Sequence, residues 1–258
     1  MGHLGNNLFE YALGRILAEE LDLSLTCVSA VDKPGWNDVE KSSGIVDRLH
    51  LFHRHFSDVP QQLPGRTLSA PQLRYVMGEN QFWNGQAFNM DHVLRHGRDS
   101  RIVLHGYFQQ ARYYHPYRER IRRWYRFREA PATPMHRDDL IVHLRQSQDM
   151  FLLDRAIDVD FYRHWLGGMR FRRMVVCGLG LDERVRRVLA PFKPVYLDLP
   201  GMATLQLMTT ARRIVMANST FSWWGAYLSD ADEIHYPRMV RNFWSADSGV
   251  DLEVPEAR

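Results

Sequence analysis

Apolar residues recur through residues 7–21 at Leu8, Phe9, Ala12, Leu13, Ile16, Leu17 and Leu21. That spacing predicts an amphipathic helix. Before it, Gly2-His3-Leu4-Gly5-Asn6 reads as a glycine turn with an Asn near the N-cap. Ser24 to Ala30 reads as a strand. Residues 31–100 lose the rhythm, mixing short apolar pieces with Pro-Gly, Asn-Gly and His-rich turns; short helices and loops are expected there.

From Arg101 the pattern becomes regular. Strands are expected at 101–105, 140–144, 174–177, 195–197, 214–216 and 233–236. Helices are expected at 112–126, 159–166, 182–189, 203–211 and 221–228. Strands alternating with helices imply an α/β fold, a parallel sheet with helices on both faces. Pro131, Thr133 and Pro134 read as a linker, dividing the chain into 1–130 and 131–258. Ligands of such folds sit at the carboxyl ends of strands.

Composition narrows the class. The chain has 258 residues, 45% hydrophobic and 24% charged, as in globular proteins. No stretch approaches the length of a membrane span. No basic start followed by an apolar block suggests a secretory leader. Cys27 and Cys177 lie in apolar strand-like runs and read as buried free thiols in a reducing compartment. Net charge is +3, yet only Lys33, Lys41 and Lys193 are lysines, so arginine dominates the basic residues. Either coding bias or an anion-binding surface explains that. The Arg112–Arg128 run reads as a solvated helix face; it lacks the dense basic stripe of a nucleic-acid binder.

Two segments suggest anion chemistry. In Asn218-Ser219-Thr220-Phe221-Ser222-Trp223-Trp224-Gly225 an apolar strand runs into a polar turn that opens a helix. Its N–H groups and hydroxyls suit a phosphate; an ordinary capped helix is the equal alternative. In Leu140 to Asp149, His143 and Arg145 share a strand face, with Arg145 at the carboxyl end. An Arg there can clamp a diphosphate, or simply pair with Asp149. Asp158-Val159-Asp160 has the spacing of a cation-holding pair in sugar transferases, but it opens a helix and reads as a cap. His50, His53 and His55 read as surface or packing residues.

Taken together, these segments resemble bacterial alpha-1,2-fucosyltransferases. Gly2 to Ala12 is similar to the family's GGLGNQ opening. Gly106-Tyr107-Phe108-Gln109 is similar to its GYFQ, His143-Leu144-Arg145 to its HxR, and Asp160-Phe161-Tyr162 to the Leu-Asp-Tyr-Tyr that follows. Leu207-Met208 with Asn218 to Ala226 is similar to LM…NSTFSWWGAW. The matches keep the family's order along nearly the whole chain.

The resemblance implies a GT-B fold of two Rossmann-like halves with a cleft between them, an N-terminal acceptor side and a C-terminal donor side. It implies metal-independent, inverting transfer from GDP-fucose to a galactoside 2-hydroxyl, with no cofactor. Arg145 would hold the diphosphate, supported by His143; Asn218, Ser219, Thr220 and Phe221 would cradle phosphates, with Asp149 also on the donor side. Asn6, Tyr107 and Gln109 would lie on the acceptor side. Arg145, His143 and Asn6 are the expected catalytic residues, and Glu10 and Asp149 the candidates for the base. The implied partners are a nucleotide sugar and a glycan acceptor, not a nucleic acid, in a bacterial cytoplasm. The Arg-rich surface admits peripheral contact with acidic lipid.

Three departures stand out. The family's second arginine is Gln146 here, and Asp149 falls one place late, nearer to the HLR…D spacing of protein O-fucosyltransferases. The Ser-Asp-Asp after the next strand is Gly178-Leu179-Gly180. A strand of about ten residues that precedes the family's glycine loop is expected to be missing, through a clipped start. The same scaffold with another nucleotide sugar, and a catalytically weak nucleotide- or glycan-binding protein, are the alternatives.

Overall fold

The computed structural model describes residues 4–27, 45–60, 62–68, 73–79, 89–152 and 155–236. The chain divides into two compact units, with the boundary between Arg128 and Glu129.

The N-terminal unit is led by α1 (Leu4–Leu21), which buries Leu8, Phe9, Leu13 and Ile16 completely. The helix begins inside the expected glycine turn: Gly5 and Asn6 are helical, and Gly5 is buried. Burial of the helix start offsets the usual cost of glycine there. Next come α2 (Ile45–His55), β1 (Leu73–Glu79), α3 (Met90–His96), β2 (Ser100–Gly106) and α4 (Arg118–Trp124). β1 and β2 pair in parallel, Leu73 opposite Ser100 and Glu79 opposite Gly106.

Two expectations need correction in this unit. The strand expected from Ser24 is not a ladder over its described part. Leu23 and Leu25 make isolated bridges to Arg66 and Leu63, one parallel and one antiparallel. The helix expected over 112–126 is two 3-10 turns, Ala111–Tyr113 and His115–Tyr117, before α4. Pro116 has no N–H to continue an α-helix through the turn it occupies.

The C-terminal unit is an α/β layer structure. Its elements are β3 (Asp139–Arg145), α5 (Gln148–Leu152), α6 (Val159–Leu166), β4 (Arg173–Leu179), α7 (Glu183–Leu189), β5 (Val195–Leu197), α8 (Gly201–Thr210), β6 (Arg213–Val215), α9 (Thr220–Leu228) and β7 (Glu233–His235). All five strands run parallel in the order β5-β4-β3-β6-β7. This doubly wound order is compatible with a Rossmann-like fold. Leu140, Val142 and Leu144 of β3 join Tyr162 and Leu166 of α6 and Val185 and Leu189 of α7 in one buried core. The alternate residues of β3 leave the other face, where α8 and α9 pack. A Cβ on Gly225 would come within 2.5 Å of Met208 Cε, so the glycine permits that close approach of α9 to α8.

Among the described residues, no helix is long and apolar enough to cross a membrane.

Candidate functional site

The strand order reverses between β3 and β6, and that reversal creates a crevice at the carboxyl ends of the strands. Two segments singled out in the sequence flank it. β3 ends in Arg145, and β6 leads through Met216 to Ser219 into α9. The two lie far apart in the chain, yet their strands are register neighbours, Val142 opposite Val215.

Ser219 is the N-cap of α9 by its extended backbone, but its side chain makes no capping hydrogen bond. The first helical bond is Trp223 N–H to the Ser219 carbonyl, at 3.0 Å. The turn ahead of that bond is where a helix directs its N–H groups outward along its axis. Ser222 is occupied: its Oγ accepts from Ala217 N–H at 3.0 Å, which ties the turn to the end of β6. Ser219 therefore does not cap α9 through its hydroxyl.

His143 sits on the α9 face of β3, 4% exposed. Its ring lies 5.2 Å from that of Phe221 in the first turn of α9. Burial, with the charge of Arg145 adding to it, pushes the imidazole down to about 3. The ring is therefore neutral at ordinary pH. Its buried Nδ1 makes no hydrogen bond. His143 is thus a neutral, buried ring packed at the turn.

Asn218, in the turn ahead of α9, is held by two hydrogen bonds. Its Nδ2 donates to the Arg155 carbonyl at 2.9 Å, and its Oδ1 accepts from the Tyr236 hydroxyl at 3.4 Å. It is 3% exposed. One end of the amide ties the turn to the chain after α5 and the other to the residue after β7. Gln146 is likewise committed. Its Nε2 donates to the Ile157 carbonyl at 2.6 Å, and its N–H to the Leu179 carbonyl at 2.8 Å. The Gln in place of a second arginine is therefore a buried tie. Thr220 and Phe221 open α9 as expected; the side chain of Asp149 lies outside the described residues.

The Gly178-Leu179-Gly180 departure has a steric cause. Gly178 has φ +131° and a Cβ there would lie 1.9 Å from the Leu144 carbonyl oxygen; Gly180 has φ +72° and its Cβ would lie 2.1 Å from the Gln146 carbonyl oxygen. No L side chain fits either position. The signal was a Gly-x-Gly directly after a strand, which marks a close approach of backbones.

The Asp158–Asp160 pair is a helix cap. Asp158 Oδ1 accepts from Asp160 N–H at 2.8 Å. Arg184 Nη2 donates to Asp158 and to Asp160, each at 3.0 Å. Among the described residues, no three His, Cys, Asp or Glu are grouped to hold a metal. His53 Nδ1 bonds the Val59 carbonyl at 2.9 Å, a packing role. Cys177 is buried and Cys27 half-buried, and loss of solvation raises both thiols, Cys27 to about 11 and Cys177 to about 12.

In the N-terminal unit two expected acceptor-side residues meet. Gln109 Nε2 donates to Asn6 Oδ1 at 2.9 Å, across more than 100 residues. The buried Gln109 Oε1 has no hydrogen-bond partner. Phe108, just before it, is left-handed with φ +49°, and its carbonyl accepts from the Tyr114 hydroxyl at 2.7 Å. That strained residue was not legible in the sequence; such strain gathers at functional positions. Tyr107 is half-buried beside it. Asn7 Nδ2 donates to Glu10 at 2.9 Å, and loss of solvation raises the Glu10 carboxyl.

No family model, curated protein or solved structure matches the chain.

Proposed function

We propose that the chain is a metal-independent, inverting glycosyltransferase of GT-B type, with two Rossmann-like halves, that moves L-fucose from GDP-fucose to the 2-hydroxyl of a galactoside-containing glycan. One observation carries the reading. Arg145 and the first turn of α9, whose N-cap Ser219 makes no side-chain cap bond, flank the switch point of the C-terminal sheet, with neutral His143 packed against Phe221 at that turn.

A guanidinium and a row of helix N–H groups suit a diphosphate, the leaving group of a nucleotide sugar. They act most strongly as its charge develops. The acceptor oxygen forms a bond to the sugar C1 as the C1–O bond to the β-phosphate breaks. The electron pair of that bond leaves with GDP, and the hydroxyl proton passes to a base. Glu10 and Asp149 are the candidates for that base in this reading. Asp158 and Asp160 are engaged by the cap and by Arg184; in this reading Arg145 and α9 neutralise the diphosphate. Asn6, Tyr107 and Gln109 belong to the acceptor side in this reading, and the reaction is cytoplasmic.

The test is transfer of labelled fucose from GDP-fucose to a panel of galactosides. Arg145→Ala is expected to lose about 100-fold or more in rate with an unchanged melting curve. Undiminished transfer by Arg145→Ala would remove that residue from the mechanism.

A further inference from the structure

The carboxyl edge of the C-terminal sheet is divided by chemistry. Its β3–β6 side carries Arg145 and the opening of α9. Its β4–β5 side carries exposed apolar side chains: Leu179 closes β4 at 52% exposed, and Leu199 follows β5 at 36%. Phe151 and Leu152 of α5, just after β3, are 47% and 78% exposed. A single exposed leucine carries no message, but several at one end of one sheet do.

Leu179 is fixed beside the cradle. It is the parallel-register partner of Arg145, so the two residues leave the same face of neighbouring strands, about 4.8 Å apart. Gly178 and Gly180 admit no side chain, so Leu179 alone presents one at the end of β4. In doubly wound folds an acid on the dinucleotide's ribose stands downstream of the phosphate turn. Here the strand beside Arg145 ends in Gly-Leu-Gly.

We infer that Leu179 is an apolar seat for the nucleoside end of the donor, and that this seat, with no polar side chain among the described residues at the end of β4, holds purine and pyrimidine nucleoside diphosphates alike. The inference rests on the reading of Arg145 and α9 as the diphosphate cradle. An apolar surface gains from contact with any base. Strong discrimination needs buried polar groups that a wrong base leaves unpaired. The opposite end of the sheet holds a cavity of about 510 Å³ lined by Arg172, Arg213, Asp232 and Glu233, where Arg213 pairs with Glu233 and donates to the Arg170 carbonyl.

The experiment titrates GDP, ADP, UDP and inorganic pyrophosphate by calorimetry into wild type and Leu179→Ala. The three nucleotides are expected to bind within about threefold of one another, because contact area and not edge pairing sets the affinity. Leu179→Ala is expected to weaken all three by about fivefold and to leave pyrophosphate unchanged. A preference for GDP of about 100-fold or more, or nucleotide affinities unmoved by Leu179→Ala, overturns the inference while leaving the cradle standing. Failure of pyrophosphate and of every nucleotide to bind overturns the cradle, and the seat with it.

Discussion

The imidazole of His143 and the phenyl ring of Phe221 lie with centroids 5.2 Å apart at 34°. That contact joins the middle strand of the C-terminal sheet to the first turn of α9. Its neighbours on either side are the strand-end Arg145 and the N-cap Ser219. The pair therefore fixes the two charged or polar components of the cradle relative to each other, through a neutral ring that costs no buried charge.

His143 makes stability depend on pH. Its pKa falls from 6.5 to about 3 on folding, so between those values the unfolded chain binds a proton that the native chain refuses. Stability is then full above about pH 6.5, falls as pH drops through that window, and levels off below the folded value. Urea midpoints at several pH values between 4 and 7, compared with His143→Gln, check this. The variant is expected to show a shallower loss toward acid, and an equal slope would exclude His143 as its source.

Ser219→Ala separates the cap from the cradle. A capping serine costs about 1 kcal/mol when replaced by alanine. Ser219 makes no capping bond, so urea denaturation is expected to move by less than about 0.5 kcal/mol. Diphosphate binding is expected to weaken by several-fold in the same variant.

Gly178→Ala is expected to be severe. The added methyl would meet the Leu144 carbonyl oxygen at 1.9 Å, at a φ of +131°. Backbone must shift at two strands, and a loss of about 3 kcal/mol or more in unfolding free energy is expected. Leu179→Ala, at the exposed position between the two glycines, is expected to change stability little.

Asp158 and Asp160 differ in what their loss does. Asp158→Ala removes the α6 cap and half of the Arg184 pairing, for about 1 kcal/mol of stability. Asp160→Asn leaves the cap. Both variants are expected to keep wild-type transfer rates, with and without a chelator, because the pair holds a helix and not the donor.

The C-terminal unit was legible because its strands are short apolar runs and its helices carry periodic faces. Each of the elements from β3 to β7 that the pattern predicted is present within a few residues; the short α5 and the 3-10 turn Ala190–Phe192 were unmarked. The N-terminal unit was harder. β1 reads Leu-Arg-Tyr-Val-Met-Gly-Glu, with Arg74, Gly78 and Glu79 breaking its apolar run, and its partner β2 lies beyond an intervening helix. Ser24 to Ala30 looks like a strand, yet over its described part the chain makes only isolated bridges, Leu23 to Arg66 in parallel and Leu25 to Leu63 antiparallel. At the candidate site, Arg145 at the end of β3 and Ser219 ahead of α9 were readable from the alternation of strands and helices. The burial of Asn218 and Gln146 was not, because a polar side chain that ties two loops has the same letter as one that faces a ligand.

Whether Arg145 and α9 hold a diphosphate is decided by calorimetric titration of GDP into the metal-stripped protein, repeated with magnesium and with Arg145→Ala. The expected dissociation constant is on the order of micromolar, indifferent to magnesium and weakened by about tenfold or more in Arg145→Ala. Absence of GDP binding, or binding that requires magnesium, would contradict a diphosphate cradle made of Arg145 and the first turn of α9.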